Sequence, residues 1–170
     1  KKIYKKLLKL RDQGRTNSVM TGEDEYDTIG FNFKITNMQG ALGISQLRDI
    51  KSRIKILKRN YKFYKDNLIT NKNFKIIQFN IKKGEVPLWV DISCSKRNKL
   101  YNYLRNKEIY CRYYWKPLNT TKPYKKSFST LPASKSLYGK LMWLPSSLKL
   151  TKKDLSKVCG YINKFIKQNY

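Results

Sequence analysis

The first 70 positions carry apolar residues at helical spacing. Residues 2–11 intersperse leucine and isoleucine with lysines and predict a short amphipathic helix. Thr36, followed three positions later by Gln39, has the form of a capping box and predicts a helix from Asn37 through Leu47. Beyond it, apolar residues at steps of three and four predict a long amphipathic helix with lysines on its other faces. These apolar residues are Leu47, Ile50, Ile54, Leu57, Tyr61, Tyr64 and Leu68.

After residue 73 the pattern becomes that of strands. The segments "FKIIQFNI" (74–81) and "VPLWVDISC" (86–94) are rich in aromatic and β-branched residues and predict two strands. Ser95 is expected to cap a helix over 96–107. The segment "IYCRYYW" (109–115) alternates and predicts a third strand. One of its faces would carry Ile109, Cys111, Tyr113 and Trp115, and the other Tyr110, Arg112 and Tyr114.

The end of the chain predicts two helices and a strand. A short helix near 133–139 precedes "LMWLP" (141–145), which has the composition of a buried strand. Thr151 and Asp154 have the spacing of a capping box and predict the start of a final helix. From residue 74 the order is therefore β, β, α, β, α, β, α, which predicts an α+β fold with helices against one sheet.

The stretch "GFNFKITNMQGALGISQL" (30–47) differs in composition from the rest of the chain. Lys34 is its single charged residue, although the whole chain has 38 Lys+Arg and 11 Asp+Glu. The stretch also holds three glycines, Gly30, Gly40 and Gly43. The preceding residues 14–30 are rich in Gly, Ser, Thr and Asp and predict a loop.

The formal charge of +27 comes mainly from lysine. Eight of the 38 basic residues are arginines, which leaves 30 lysines, although arginine is the better bidentate ligand of phosphate. Lys, Asn, Ile and Tyr have AT-rich codons, so codon bias accounts for the high content of these residues. Solvated surface lysines are therefore favoured over a face that binds a polyanion. A nucleic-acid-binding domain is the alternative, with Tyr113–Lys116 and Lys122–Lys126 as its candidate groove.

Other residue types exclude several kinds of site. The chain has no histidine, which removes histidine-based triads and histidine-ligated zinc. Cys94, Cys111 and Cys159 are odd in number and lack metal-type spacing, so we expect small buried thiols in a reducing compartment and no metal site. No apolar run approaches the roughly twenty residues that span a bilayer, and no membrane partner is expected.

Three segments taken together resemble a known family. They are "LRDQGRTNS" followed by "GFNFKITNMQGALGISQL" and a long basic helix, then "KRNKLYNYLRNKEIYCRYYWKPLNTTKPY", then "LPASKSLYGKLMWLPSSLKLTKKDLSKV". In this order they resemble the second half of the DegT/StrS nucleotide-sugar aminotransferases, which are fold-type-I pyridoxal-phosphate enzymes. "GFNFKITN" and "YYWKPL" are similar to the perosamine-synthase-like branch, which aminates a GDP- or UDP-linked 4-keto-6-deoxy sugar.

The resemblance implies that this chain is the carboxy-terminal part of such an enzyme, with the Schiff-base lysine upstream of residue 1. Residues 1–36 would then be the tail of the large cofactor domain and an interface loop, and 37–70 linking and interface helices. Residues 71–170 would form a small domain, a mainly antiparallel sheet with helices on one face. The complete enzyme would be a cytoplasmic homodimer with shared active sites. The stretch 30–47 would lie at its subunit interface; the alternative is an ordinary core helix.

The resemblance also implies roles for individual residues. Asn32 would donate an amide hydrogen bond to the phosphate of the neighbouring subunit's pyridoxal 5'-phosphate, or else support a loop turn. Lys34 would meet an anionic substrate or cofactor group, or else be a solvated lysine. Arg112 would pair with the sugar diphosphate or the glutamate carboxylate, or else form a structural salt bridge. Tyr114 and Trp115 would line the sugar or base pocket, or else belong to the core.

The implied function is transfer of an amino group from glutamate to a nucleotide-linked keto sugar, for polysaccharide or glycan precursors. No catalytic residue is expected within this chain. The family also contains pyridoxal-phosphate enzymes that dehydrate sugars, so a dehydratase is an alternative. The chain departs from the family pattern at Asn119, where a histidine is common.

Overall fold

The computed structural model describes residues 1–16, 25–121 and 131–170. These residues form two compact units, Lys1–Ile50 and Lys51–Tyr170. Part of the loop predicted over 14–30 lies outside the described residues. Each unit has its own helices, and the sheet belongs to the second.

The described part of the first unit contains two helices with an extended segment between them. Helix α1 spans Lys2–Arg11, as the spacing predicts, and helix α2 spans Asn37–Arg48. The predicted capping box is present, because the N–H of Gln39 donates to the Thr36 hydroxyl while the Gln39 side chain accepts from the Thr36 N–H. Helix α2 buries none of its residues. Local capping therefore fixes where α2 begins.

Close backbone packing joins the extended segment 29–36 to the end of α1. The N–H of Phe31 donates to the carbonyl of Leu10 at 2.6 Å. A Cβ added to Gly30 would lie 2.1 Å from the nitrogen of Gly14, and Gly14 itself has φ of +86°. Both positions therefore require glycine: Gly30 because there is no space for a side chain, and Gly14 because of both space and backbone conformation.

A four-stranded antiparallel sheet is the centre of the second unit. Its strands are β1 (Phe74–Ile76), β2 (Val90–Cys94), β3 (Arg112–Tyr113) and β4 (Leu141–Leu144), in the spatial order β1-β2-β4-β3. Four helices are described with it: α3 (Ile50–Asn67), α4 (Arg97–Arg105), α5 (Pro132–Tyr138) and α6 (Lys152–Asn169). Helix α4 packs on β2 and on α6. The predicted α+β fold and its order of elements are confirmed.

The core lies on one face of the sheet. Strand β2 contributes Val90, Ile92 and Cys94 to it. Helix α6 starts at the predicted capping box, and its buried residues are Leu155, Val158, Cys159, Ile162, Phe165 and Ile166. All three cysteines are free thiols, and burial raises the pKa of Cys111 to about 12. They therefore act as small apolar side chains at neutral pH.

Two predicted boundaries need correction. The first two strands are shorter than their composition predicts, because Asn80 caps a 3₁₀ turn over Ile81–Lys83 and Pro87 has no N–H for a ladder. Ser95 does not cap α4, since its hydroxyl forms a hydrogen bond with that of Tyr170 at 2.8 Å. In both cases a tertiary or turn contact overrides the local propensity.

Candidate functional site

The first group of predicted site residues lies on the extended segment 29–36. Every second residue of this segment is an exposed apolar side chain, at Ile29, Phe31, Phe33 and Ile35. The rings of Phe31 and Phe33 stack with centres 5.2 Å apart. Asn32 and Lys34 occupy intervening positions. Since successive side chains of extended backbone point to opposite sides, the segment has an apolar side and a polar side.

Asn32 has an exposed side chain on a fixed backbone. The residue pairs with Asp12 in an isolated antiparallel bridge, and its side chain is exposed. Among the described residues, no hydrogen bond of the Asn32 amide is present that would support a turn. The amide can therefore donate to a group outside this chain.

Lys34 is tethered to the end of α1. Its ammonium donates to Oδ2 of Asp12 at 2.8 Å, and this contact lowers the pKa of the Asp12 carboxyl. Arg15 lies 3.7 Å from the other oxygen of the same carboxylate. Lys34 lines one depression of about 480 Å³ together with Asn32 and Gln39. It is therefore a positioned cation at a concave surface, which disfavours the alternative of a solvated lysine.

The outer surface of α2 adds to the exposed apolar area. Its exposed apolar residues are Met38, Leu42, Ile44 and Leu47. Met38 is 85% exposed. A Cβ added to Gly40 or Gly43 would meet no atom of this chain within 4 Å. Within this chain the stretch is therefore not part of a core, and the small residues leave space on its outside.

The second group of predicted site residues lies on the second unit, on the sheet face opposite the core. The guanidinium carbon of Arg112 lies 4.7 Å from the ring centre of Trp115 and 5.6 Å from that of Trp143. Tyr114 packs on Trp143 with ring centres 5.2 Å apart. Within the described ranges Arg112 has no acidic partner, so the structural salt bridge is not observed there.

The strand that carries this group is shorter than the alternation predicts. Strand β3 has two residues, and one further hydrogen bond follows it, from the Tyr114 N–H to the carbonyl of Leu141 at 3.4 Å. The alternation predicts Trp115 on the face of Cys111, but its ring packs on Trp143, with centres 5.3 Å apart, beside Arg112. Tyr114 is 36% and Trp115 57% exposed in this chain, which disfavours the core alternative for Trp115 more than for Tyr114.

A cavity of about 280 Å³ adjoins this group. Tyr114 and Trp115 line it together with Ser134 and Tyr138 of α5. Asn119 follows in the 3₁₀ turn Leu118–Thr120, and its Oδ1 is buried without a hydrogen-bond partner among the described residues. Polar and aromatic groups thus converge where the chain leaves β3.

The second group also includes Trp89, Asp91 and Trp143, which the sequence did not indicate as site residues. Trp89 and Trp143 stack with ring centres 4.8 Å apart, and Asp91 on β2 pairs with Trp143 across the strands. The alternation in "WVDI" (89–92) could have indicated the first two, because Trp89 and Asp91 alternate with the buried Val90 and Ile92 and so belong to the opposite face.

Three other kinds of interaction were considered from the sequence: with nucleic acid, with metal ions and with membranes. Lys122–Lys126, part of the candidate nucleic-acid groove, lies outside the described residues. Within the described ranges, no group of three or more acidic and cysteine side chains is placed to hold a metal ion. No helix in that part of the chain is long and apolar enough to cross a membrane.

Sequence comparison matches the chain to a family over most of its length. Residues 1–163 match the DegT/DnrJ/EryC1/StrS aminotransferase family. GDP-perosamine synthase of Escherichia coli O157:H7 is 26% identical to the chain, over 97% of this chain and 45% of that protein. The chain therefore spans less than half the length of this relative.

Solved structures share the fold. Helicobacter pylori PseC, an aminotransferase involved in the biosynthesis of pseudoaminic acid, superposes with a TM-score of 0.82 at 18% identity, over 98% of this chain and 47% of that chain. The sugar aminotransferase CalS13 from Micromonospora echinospora gives 0.81 at 18% identity, over 96% and 45%. The PLP form of Spr1654 from Streptococcus pneumoniae gives 0.81 at 18% identity, over 98% and 44%.

The family match and the shared fold extend over both units and over the two groups of site residues. The chain therefore belongs to the DegT/DnrJ/EryC1/StrS aminotransferase family.

Proposed function

We propose that this chain is the carboxy-terminal part of an enzyme that moves an amino group from glutamate to a nucleotide-linked 4-keto-6-deoxy sugar. The product would enter polysaccharide or glycan synthesis in the cytoplasm. The observation that carries the proposal is the exposed segment 29–36 with α2, which offers Asn32 and an uncovered apolar surface. Family membership supports the class of reaction.

Pyridoxal 5'-phosphate would supply the electron sink for amino transfer. Its phosphate requires hydrogen-bond donors and positive charge. Asn32 and Lys34 line one depression, and an amide together with an ammonium is a donor set that fits a phosphate. Asp12 orients Lys34 at 2.8 Å, and because Arg15 lies 3.7 Å from the same carboxylate, the three side chains together carry a net positive charge. The task of these residues is to bind and orient the phosphate.

The enzyme would act as a homodimer with shared active sites. Exposed apolar side chains on segment 29–36 and α2 are suited to lie against a second subunit. Gly40 and Gly43 have open space on the outside, which would let a partner helix approach closely. Asn32 would then reach the cofactor held by the neighbouring subunit.

The nucleotide sugar would contact the second group. Arg112 has no acidic partner in the described ranges, and a guanidinium suits the oxygens of a diphosphate or of the glutamate carboxylate. Tyr114 and Trp115 would offer flat apolar faces to the sugar ring or the base.

Subunit complementation tests the proposal. The amino-terminal half of a family member is fused ahead of residue 1, and two variants are made: Asn32→Ala, and one lacking the Schiff-base lysine of the added half. In a mixed two-fold dimer, one site would have both defects and the other neither, so mixing should restore up to about half the activity per mixed dimer. Activity is followed as glutamate-dependent formation of 2-oxoglutarate.

Asn32→Ala should also weaken cofactor retention by about 1–3 kcal/mol, the scale of a hydrogen bond to a charged group. Asn102→Ala, at an exposed asparagine on α4, is the matched control and should leave retention and activity unchanged. Subunits that demonstrably exchange without restoring any activity would contradict the role of Asn32 across the interface.

A further inference from the structure

One buried cation joins three elements beside the second group of site residues. Arg97, the first residue of α4, is only 8% exposed. Its guanidinium carbon lies 4.3 Å from the ring centre of Tyr113 on β3 and 5.5 Å from that of Tyr138, the last residue of α5. Within the described ranges Arg97 has no acidic partner. Neutral groups of the neighbouring elements therefore hold this buried charge.

Hydrogen bonds fix the orientation of the Arg97 guanidinium. Nε and Nη2 donate to Oδ1 of Asn98 at 3.1 and 2.9 Å, and Nη1 donates to the backbone carbonyl of Tyr138. The last carbonyls of a helix have no partner within the helix, and a cation at that end also interacts favourably with the helix dipole. Arg97 therefore caps the carboxyl end of α5.

Helix α5 forms part of the cavity of about 280 Å³, although it buries none of its seven residues. It lines the cavity with Ser134 and Tyr138, and the chain after β3 lines it with Tyr114 and Trp115. Arg97 contacts Tyr138 on one side and the residue before Tyr114 on the other. Because a short helix gains most of its stability from packing, the placement of α5 depends on contacts such as that with Arg97.

We propose that Arg97 is a positioning residue, which holds α5 and the end of β3 at the spacing that the cavity needs to receive the base or the sugar of a nucleotide sugar. Without Arg97, α5 would be in place in only a fraction of the molecules, and the apparent affinity would fall by that fraction. This inference rests on the proposed function in taking the ligand of the cavity to be a nucleotide sugar.

Ligands with and without a base test the positioning role. Arg97→Met fills a similar space but neither donates a hydrogen bond nor carries charge. It should weaken binding of GDP to the 170-residue chain by about three- to tenfold, the scale of one hydrogen bond. Inorganic pyrophosphate has two phosphates without a base or a sugar, so its binding should not change. Arg97→Lys keeps the charge and a donor and should weaken GDP binding less than Arg97→Met.

Tyr64→Phe is the matched control for a general loss of stability. It removes another buried hydrogen bond of the second unit, from the Tyr64 hydroxyl to the carbonyl of Pro145 at 2.9 Å. Urea unfolding measures the loss of stability in both variants, and GDP is titrated at a temperature where both are folded. Only Arg97→Met should weaken GDP binding.

NMR of the free chain supplies a readout that needs no ligand. The carbonyl ¹³C shift of Tyr138 reports the hydrogen bond that this carbonyl accepts. Arg97→Met should move that signal, and the amide signals of α5 and of Trp115 should move with it, because both sides of the cavity lose a shared support. Tyr64→Phe should leave these signals in place.

The outcomes distinguish this inference from the proposed function. A Tyr138 signal that ignores Arg97→Met overturns the positioning role. So does GDP binding that is unchanged, that weakens equally with pyrophosphate binding, or that weakens as much in Tyr64→Phe. If the Tyr138 and Trp115 signals move but the unmodified chain does not bind GDP, Arg97 does position α5, and the assignment of the cavity to a guanine nucleotide fails.

Discussion

Alanine at the two glycines of α2 should have opposite effects on folding and on dimerisation. Gly40 and Gly43 lie inside a regular helix, and neither has positive φ. A Cβ at either position meets nothing in this chain within 4 Å. Within the monomer, the double change therefore adds helix propensity without a clash.

The expected gain follows from helix propensity. Gly→Ala in an exposed helix interior stabilises by about 1 kcal/mol, so the two changes should add about 2 kcal/mol to the stability of the first unit. That is about a 30-fold change in its folded-to-unfolded ratio. At a close helix–helix contact, the same methyl groups overpack the interface and should cost about 1–3 kcal/mol of association free energy.

Two measurements on the same proteins separate these effects. Urea unfolding followed by far-ultraviolet circular dichroism gives the stability of the helices, and sedimentation equilibrium over a concentration series gives the dimer dissociation constant. Gly160→Ala is the matched control, since Gly160 lies on α6 in the second unit with equally open space. It should stabilise its own helix and leave dimerisation unchanged.

A double variant that is more stable and dimerises as tightly as the unmodified chain would refute close approach at these glycines. A chain that remains monomeric at every concentration would refute self-association of the isolated chain through α2. Weaker dimerisation with unchanged helix stability would contradict the propensity argument instead.

Two further predictions concern the second unit. Tyr64→Phe should destabilise the chain by about 1–3 kcal/mol, because the fully buried hydroxyl donates to the carbonyl of Pro145 at 2.9 Å and its loss leaves that acceptor unpaired; unfolding that is unchanged in urea would contradict this. Hydrogen bonds from Thr151 lower the folded-state pKa of Asp154, so the unfolded chain binds more protons as pH falls. The stabilisation by Asp154 should be present above the ordinary carboxyl pKa and be lost as pH falls through the lowered value, and Asp154→Asn should flatten that part of a melting-temperature profile.

Local signals predict the helices well and the outer sheet face poorly. Capping boxes at Thr36 and Thr151 locate both helix starts, because a hydroxyl and a side chain three residues later satisfy backbone groups without distant partners. Strand β3 alternates over seven residues in sequence, but it pairs over two, since pairing depends on where β4 lies. Asp91 resembles a solvent-facing strand residue until its neighbour across the sheet is known.

The candidate site residues also divide into those that the sequence indicates and those that depend on contacts between distant parts of the chain. The positions of Asn32 and Lys34 come from the resemblance, but the contact of Lys34 with Asp12 joins residues far apart in sequence and needs coordinates. Trp143 lies in a segment that has the composition of a core strand. It is buried, but by other aromatic side chains on the outer face.

The clustering of Trp89, Trp115 and Trp143 has a consequence for spectroscopy of this protein. All three indoles lie in the second unit and contact one another through Trp143. Intrinsic tryptophan emission therefore reports a single patch of surface, and unfolding of the first unit produces no direct tryptophan signal. If the two units unfold separately, emission and far-ultraviolet circular dichroism will give transitions that do not coincide. The gap between those two curves is then a direct measure of how strongly the units are coupled in folding.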